Sequence, residues 1–185
     1  ERWSYGGEPW SDPEGLLPLS TKQASHLGSW RRPSEFVASP EGPAMIANPQ
    51  AVVSPYCITQ DLVGDCSFVA SLVITAAFER RFRRSLITGI IYPQKDGVPV
   101  VNPSGKYLVK LWANGCQRRV VIDDRLPCDK SGKLMTCYSN NRRELWVSII
   151  EKAYMKLNGG YDFPGSNSGI DLFALTGWLP ESIYL

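Results

Sequence analysis

The chain has 185 residues, 43% of them hydrophobic, and a formal net charge of +2; that is enough apolar material for one domain with a real core and too little charge to imply a nucleic-acid partner. Five cysteines, an odd number without a C-x-x-C pair, argue against a zinc cage or a disulfide framework and point to a reducing, cytoplasmic setting. No apolar run approaches membrane-spanning length, the opening residues Glu1-Arg2-Trp3-Ser4 lack a signal-peptide core, and the abrupt ends read as those of a fragment.

Residues 1 to about 55 hold eight of the fourteen prolines, together with Trp3, Trp10 and Trp30. Proline at that density forbids long helices and central strands, so irregular chain pinned by aromatic anchors is expected, with 1–28 as an N-terminal segment or linker. Leu16-Leu17-Pro18-Leu19-Ser20 is apolar enough to pack on a core or meet a partner. His26, the only histidine, has no asparagine or aspartate pattern around it.

The stretch Gln60 to Ser71 reads Q-D-L-V-G-D-C-S-F-V-A-S. From Cys66 onward Phe68, Val69, Leu72, Val73, Ala76 and Ala77 recur at helical spacing, which predicts a helix to about Arg84. Gly64 permits a tight or left-handed backbone, and Asp65 is a good N-cap. Cys66 then falls on the first turn, where the helix dipole favours its anionic, nucleophilic form. Arg80, Arg81, Arg83 and Arg84 complement the far end of that dipole as a solvated face.

Ile87 to Tyr92 reads as a short strand stopped by Pro93. Lys106–Trp112 and Cys116–Ile122 are β-prone runs joined through Asn114-Gly115, the preferred pair of a type I′ turn, so a hairpin is expected. Asp123 and Asp124 come next. Adjacent residues on a strand point to opposite faces, so a structural role bonded to backbone or to Arg125 is favoured over a shared ligand. Lys130-Ser131-Gly132-Lys133 lacks the glycine and the hydroxyl residue that a phosphate loop needs. Arg142 to Leu157 predicts a second helix whose stripe of Leu145, Trp146, Ile149, Ile150, Ala153 and Leu157 packs on the Cys66 helix, with Gly159-Gly160 ending it. Asp171–Thr176 reads as a last short helix, and Gly177 as a hinge.

Q-x-x-x-G-D-C before an apolar helix resembles the nucleophile motif of the calpain family of papain-like cysteine proteases. Other stretches agree in the same order: Trp30-Arg31-Arg32-Pro33-Ser34-Glu35, Val121-Ile122-Asp123-Asp124-Arg125-Leu126-Pro127, Leu145-Trp146-Val147-Ser148, Ile150 to Gly159, and Leu175-Thr176-Gly177. Ser67, where the family usually has tryptophan, and Tyr161-Asp162-Phe163-Pro164-Gly165-Ser166 are closer to the atypical PalB-type branch. The resemblance implies an α+β, papain-like cysteine protease fold. Residues 29–185 would be the helical, nucleophile-bearing first subdomain of the core, with a central helix and a small antiparallel sheet or hairpin.

It further implies a cysteine-type endopeptidase in which Cys66 is the nucleophile and Gln60, with the Cys66 N–H, forms the oxyanion hole. In this family the catalytic histidine and asparagine come after the cysteine, which sets His26 aside. They would be supplied by a second subdomain, and this half alone would be inactive on its polypeptide substrate. In conventional calpains the carboxylate at the position of Glu151 helps bind a calcium ion. Its upstream aspartate partner is Cys57 here, a poor ligand for hard calcium, so no cofactor is expected and Glu151 is read as a hydrogen-bonding or surface residue. A catalytically silent calpain-like binding module remains the alternative.

Overall fold

The computed structural model describes residues 8–48, 53–181 and 183, so the expected Trp3 anchor lies outside the described residues. Near the N-terminus the Ser20 hydroxyl accepts the Gln23 N–H at 3.2 Å while the Gln23 side chain accepts the Ser20 N–H at 2.9 Å. This reciprocal cap starts α1 (Thr21–His26), which runs into β1 (Leu27–Arg31) and, after a turn, α2 (Pro33–Phe36). The segment read as irregular thus contains a helix, and the expected division at 28/29 falls inside a strand. A six-residue helix with one buried side chain, Gln23, leaves no apolar stripe to read.

After β2 (Ile58–Thr59) comes α3 (Cys66–Phe82), which stops just short of the expected Arg84 because Arg83 turns left-handed at φ 53°. The strand expected from Ile87 does not form there. The buried Glu79 carboxylate accepts the N–H groups of Leu86, Ile87 and Thr88 at 2.7–3.1 Å and the Thr88 hydroxyl at 2.6 Å. Those donors are therefore unavailable to a sheet ladder. The chain makes a 3-10 turn at Thr88–Ile90 and reaches β3 only at Ile91–Tyr92.

A small pair, β4 (Gln94–Lys95) with β5 (Val98–Pro99), leads to β6 (Lys106–Ala113) and β7 (Cys116–Asp123). Ala113 faces Cys116 across the turn, with φ 52° at Asn114 and 74° at Gly115, the backbone that a type I′ hairpin requires. β3, β6 and β7 form a three-stranded antiparallel sheet. β8 (Leu126–Asp129) pairs with β1, and β9 (Tyr138–Ser139) with β2.

The second major helix, α4 (Trp146–Leu157), begins later than Arg142, since the N–H groups of Leu145 and Trp146 are taken by the carbonyls of Ala44 and Met45 at 3.0 and 3.2 Å. It is buried on nearly every side, which a single stripe does not describe. α4 lies on β6 and β7 and meets α3 where Tyr154 stacks on Phe68, ring centroids 4.0 Å apart. α3 packs broadly on α5 (Ser168–Thr176) instead. Gly177 caps α5 at φ 75°, and a Cβ there would come within 2.7 Å of the Trp112 ring, so it is a packed cap rather than a hinge.

The fold is α+β: five helices and small antiparallel sheets among the described residues, around a core that joins α3, α4, α5, β6 and β7. A second cluster of Leu126, Cys128, Leu134 and Tyr138, with Phe36 against it, sits under the β1–β8 pair. No helix of the described residues is long and apolar enough to cross a membrane. Asp123 and Asp124 diverge as expected: Asp123 meets Lys152 at 2.5 Å and Arg125 at 2.6 Å, while Asp124 pairs with Arg32. Burial pushes the Asp123 carboxyl up, but the Lys152 ammonium, the Asp12 N–H and Arg125 together hold it below the ordinary carboxylate range. Lys152 is lowered, chiefly by its own burial.

Candidate active site

The β2–β9 pair, with Ile58 opposite Ser139 and Thr59 opposite Tyr138, ends at the loop that leads to α3. The Leu62 N–H donates to the Met135 carbonyl at 3.1 Å and holds that loop down. Cys66 is exposed and is the first residue of α3. Its own N–H belongs to the first helical turn, where no intrahelical acceptor exists.

Gln60 is half-buried, and its Nε2 lies 3.3 Å from Cys66 Sγ, 2.9 Å from the Val63 carbonyl and 3.2 Å from Asp65 Oδ1. The two residues named from the sequence are therefore together. The amide also satisfies local backbone, as an ordinary helix-flanking glutamine would. Gly64 does not take a left-handed backbone, and a Cβ there would meet nothing within 4 Å. The space beside Cys66 is open.

Asp65 occupies the N-cap position of α3, yet its side chain makes no cap hydrogen bond, which corrects the role expected for it. The residue is fully buried and its carboxylate turns inward to Gln60 and to Glu151 of α4. Glu151, read as hydrogen-bonding or surface, is completely buried: its two oxygens accept the Cys137 N–H at 3.0 and 3.1 Å. One oxygen of Asp65, one of Glu151 and Cys137 Sγ all lie within 4.8 Å of one another.

Burial raises Asp65 to about 6, and burial followed by the Asp65 charge raises Glu151 well above the carboxylate range. Burial and the two carboxylates likewise hold Cys137 as a thiol. Asp65 Oδ2 finds no donor among the described residues unless a neighbour is protonated. A single proton shared by the Asp65–Glu151 pair supplies that donor, the two carboxyl groups lying within 4.8 Å of one another.

These groups do not fit the calcium site that the family resemblance suggests. Calcium takes six to eight oxygen ligands. The carboxylate of Glu151 is sealed in the core, and the Cys57 thiol donates to the Ser54 carbonyl at 2.9 Å, with burial raising its pKa. His26 is exposed on α1, where Nδ1 lies 2.8 Å from the Lys22 carbonyl and 3.2 Å from the Ser25 hydroxyl, both within its own helix. A groove of about 1030 Å3 lined by Trp112, Arg118, Lys156 and Phe173 includes neither Cys66 nor Gln60 in its wall.

The inward triad of Asp65, Cys137 and Glu151 escaped the sequence reading. Its three members are far apart in the chain, and Asp65 carries a stronger local signal as a cap. The one hint was that Glu151 falls off the apolar stripe of its helix without joining an exposed charge pattern.

A family profile described as "Calpain family cysteine protease" matches residues 12–185. The chain is similar to Calpain-7 of Homo sapiens, 59% identical over 184 residues that make up 99% of this chain and 22% of that protein, and to Calpain-7 of Mus musculus at 58% with the same coverage. It is also similar to the calpain-like protease palB of Emericella nidulans, 42% identical over 91% of this chain and 20% of that protein. The chain thus spans about a fifth of the length of these relatives.

Proposed function

The chain belongs to the calpain family of cysteine proteases, and from that membership we propose that it is the nucleophile-bearing half of a cysteine-type endopeptidase acting on polypeptides. The observation that carries the reading is the exposed Cys66 sulfur on the first turn of α3 with the Gln60 amide nitrogen 3.3 Å away. Cys66 Sγ bonds to the scissile carbonyl carbon as an electron pair moves onto the carbonyl oxygen. The Cys66 N–H and Gln60 Nε2 donate to that oxyanion, and loss of one such donor typically costs about 3 kcal/mol of transition-state stabilisation. A histidine takes the thiol proton and passes it to the leaving amine as the C–N bond breaks. Water then hydrolyses the thioester and the thiol is restored.

That histidine, with its orienting asparagine, is assigned to a second subdomain that closes the cleft, because the single histidine of this chain is engaged within α1. No cofactor is assigned, since Cys57 and Glu151 do not offer calcium a shell of oxygens. Five free thiols favour a reducing, cytoplasmic setting.

The test is hydrolysis of an unstructured polypeptide by the full-length protein, by its Cys66→Ala variant and by the 185-residue chain alone. The expected result is turnover by the first, a loss of about 10³-fold or more in the second, and none in the third. Turnover that survives Cys66→Ala overturns the reading. A folded but inert full-length protein that still binds polypeptide would instead make this a binding module.

A further inference from the structure

Gln60 stands in a loop, and a glutamine amide has two ends of similar shape and opposite polarity. Only the NH2 end can stabilise an oxyanion; the carbonyl end would repel it. Some neighbour must therefore choose which end faces Cys66. The Val63 carbonyl is one acceptor on the nitrogen side and Asp65 Oδ1 is the other, at 2.9 and 3.2 Å. Asp65 has no cap bond to α3, is fully buried, and leans on Glu151, which is itself held by the Cys137 N–H. A chain of contacts thus runs from the rigid interior of α4 through two carboxyl groups to the amide beside the nucleophile.

We propose that Asp65 is a positioning residue: its buried carboxylate, anchored on Glu151, fixes the amide orientation of Gln60 so that Nε2 is presented at Cys66. The inference rests on the oxyanion role given to Gln60 above. The residue type is dictated by the geometry. Asp65 Oδ1 accepts from the Gln60 amide at 3.2 Å while the rest of its carboxyl group faces Glu151, so the side chain here must present an acceptor to Gln60 and leave its other end to Glu151. Asparagine has the same shape but one acceptor, so serving Gln60 would turn an NH2 toward Glu151. The unmet cap of α3 is consistent with this, since a carboxylate reaching forward to the helix N–H groups would leave Gln60 without its second acceptor.

The test is a double-mutant cycle in the full-length protein, with kcat and KM for a peptide substrate measured in wild type, Asp65→Asn, Gln60→Ala and the double variant. Asp65→Asn should lower kcat about tenfold with KM within about twofold, while adding less than about twofold in the Gln60→Ala background. An equal loss in both backgrounds, or none in either, overturns the proposal, because a purely structural role is indifferent to Gln60.

A second measurement needs no turnover. The side-chain NH2 of Gln60, read by 15N NMR in the 185-residue chain, should give two distinct, slowly exchanging protons that shift and exchange faster in Asp65→Asn; unchanged signals overturn the proposal. If the full-length protein is inert, the protease reading fails while this signal still decides the role of Asp65. Should Asp65→Asn not fold alone, Gln60→Glu supplies the same decision. It places a carboxylate against Asp65 and should lower the melting temperature, and Gln60→Glu/Asp65→Asn, which reverses donor and acceptor, should recover it. A Gln60→Glu variant as stable as wild type overturns the proposal.

Discussion

Asp65 sits where a capping carboxylate would ordinarily reach forward to the next turn, and instead its oxygens face Gln60 and Glu151. Such burial leaves a mark on stability. Asp65 titrates near 3.8 in an unfolded chain and is raised to about 6 in the fold, so the folded state holds the proton more firmly. Its contribution is therefore fully present below about 3.8 and is lost as pH rises through about 6. Asp65→Asn has no proton to lose at this position. Urea midpoints at pH 4 and pH 7 should accordingly shift in favour of Asp65→Asn, relative to wild type, at the higher pH; a difference that does not change with pH would refute this. At this scale the family resemblance singled out Cys66 and Gln60, and the structure brings them together, with Gln60 Nε2 3.3 Å from Cys66 Sγ. The sequence misled about Asp65 because the strongest rule for that position concerns its immediate successors, whereas its partner Glu151 arrives from α4.

The elements differ in how much of themselves they display in one dimension. The β6–β7 hairpin was legible because Asn114-Gly115 both permits and needs positive φ, a requirement met within two residues. The start of α4 was not, because the carbonyls of Ala44 and Met45 occupy the N–H groups at its head. The segment after α3 was misread for the same kind of reason, with Glu79 holding three consecutive N–H groups that a strand would have used. α4 also carries the buried ion pair of Lys152 and Asp123, whose side chains are 3% and 1% exposed. Lys152→Met should cost about 3 kcal/mol in chemical unfolding, the low end for breaking such a pair, because Arg125 and the Asp12 N–H stay on Asp123. A loss below about 1 kcal/mol would mean that the ammonium contributes little beyond its own desolvation.

Across the whole molecule, the main helices and the hairpin were readable from periodicity and turn chemistry and the α+β class from the family resemblance, but the partition of the interior was not. One large core and one small cluster under β1–β8 emerge only when stretches distant in sequence are laid side by side. Cys137 is sealed in the first and Cys128 in the second, whereas Cys66 and Cys116 face solvent. The polypeptide consequently carries its own pair of clocks. Under pulses of a thiol-labelling reagent, Cys66 and Cys116 should be tagged at once. Cys128 should then report the peeling of the β1–β8 flap and Cys137 the rupture of the main body. Distinct tagging rates for these two sulfurs in mild denaturant would show that the flap opens by itself, and identical rates would show that the two parts come apart only as one.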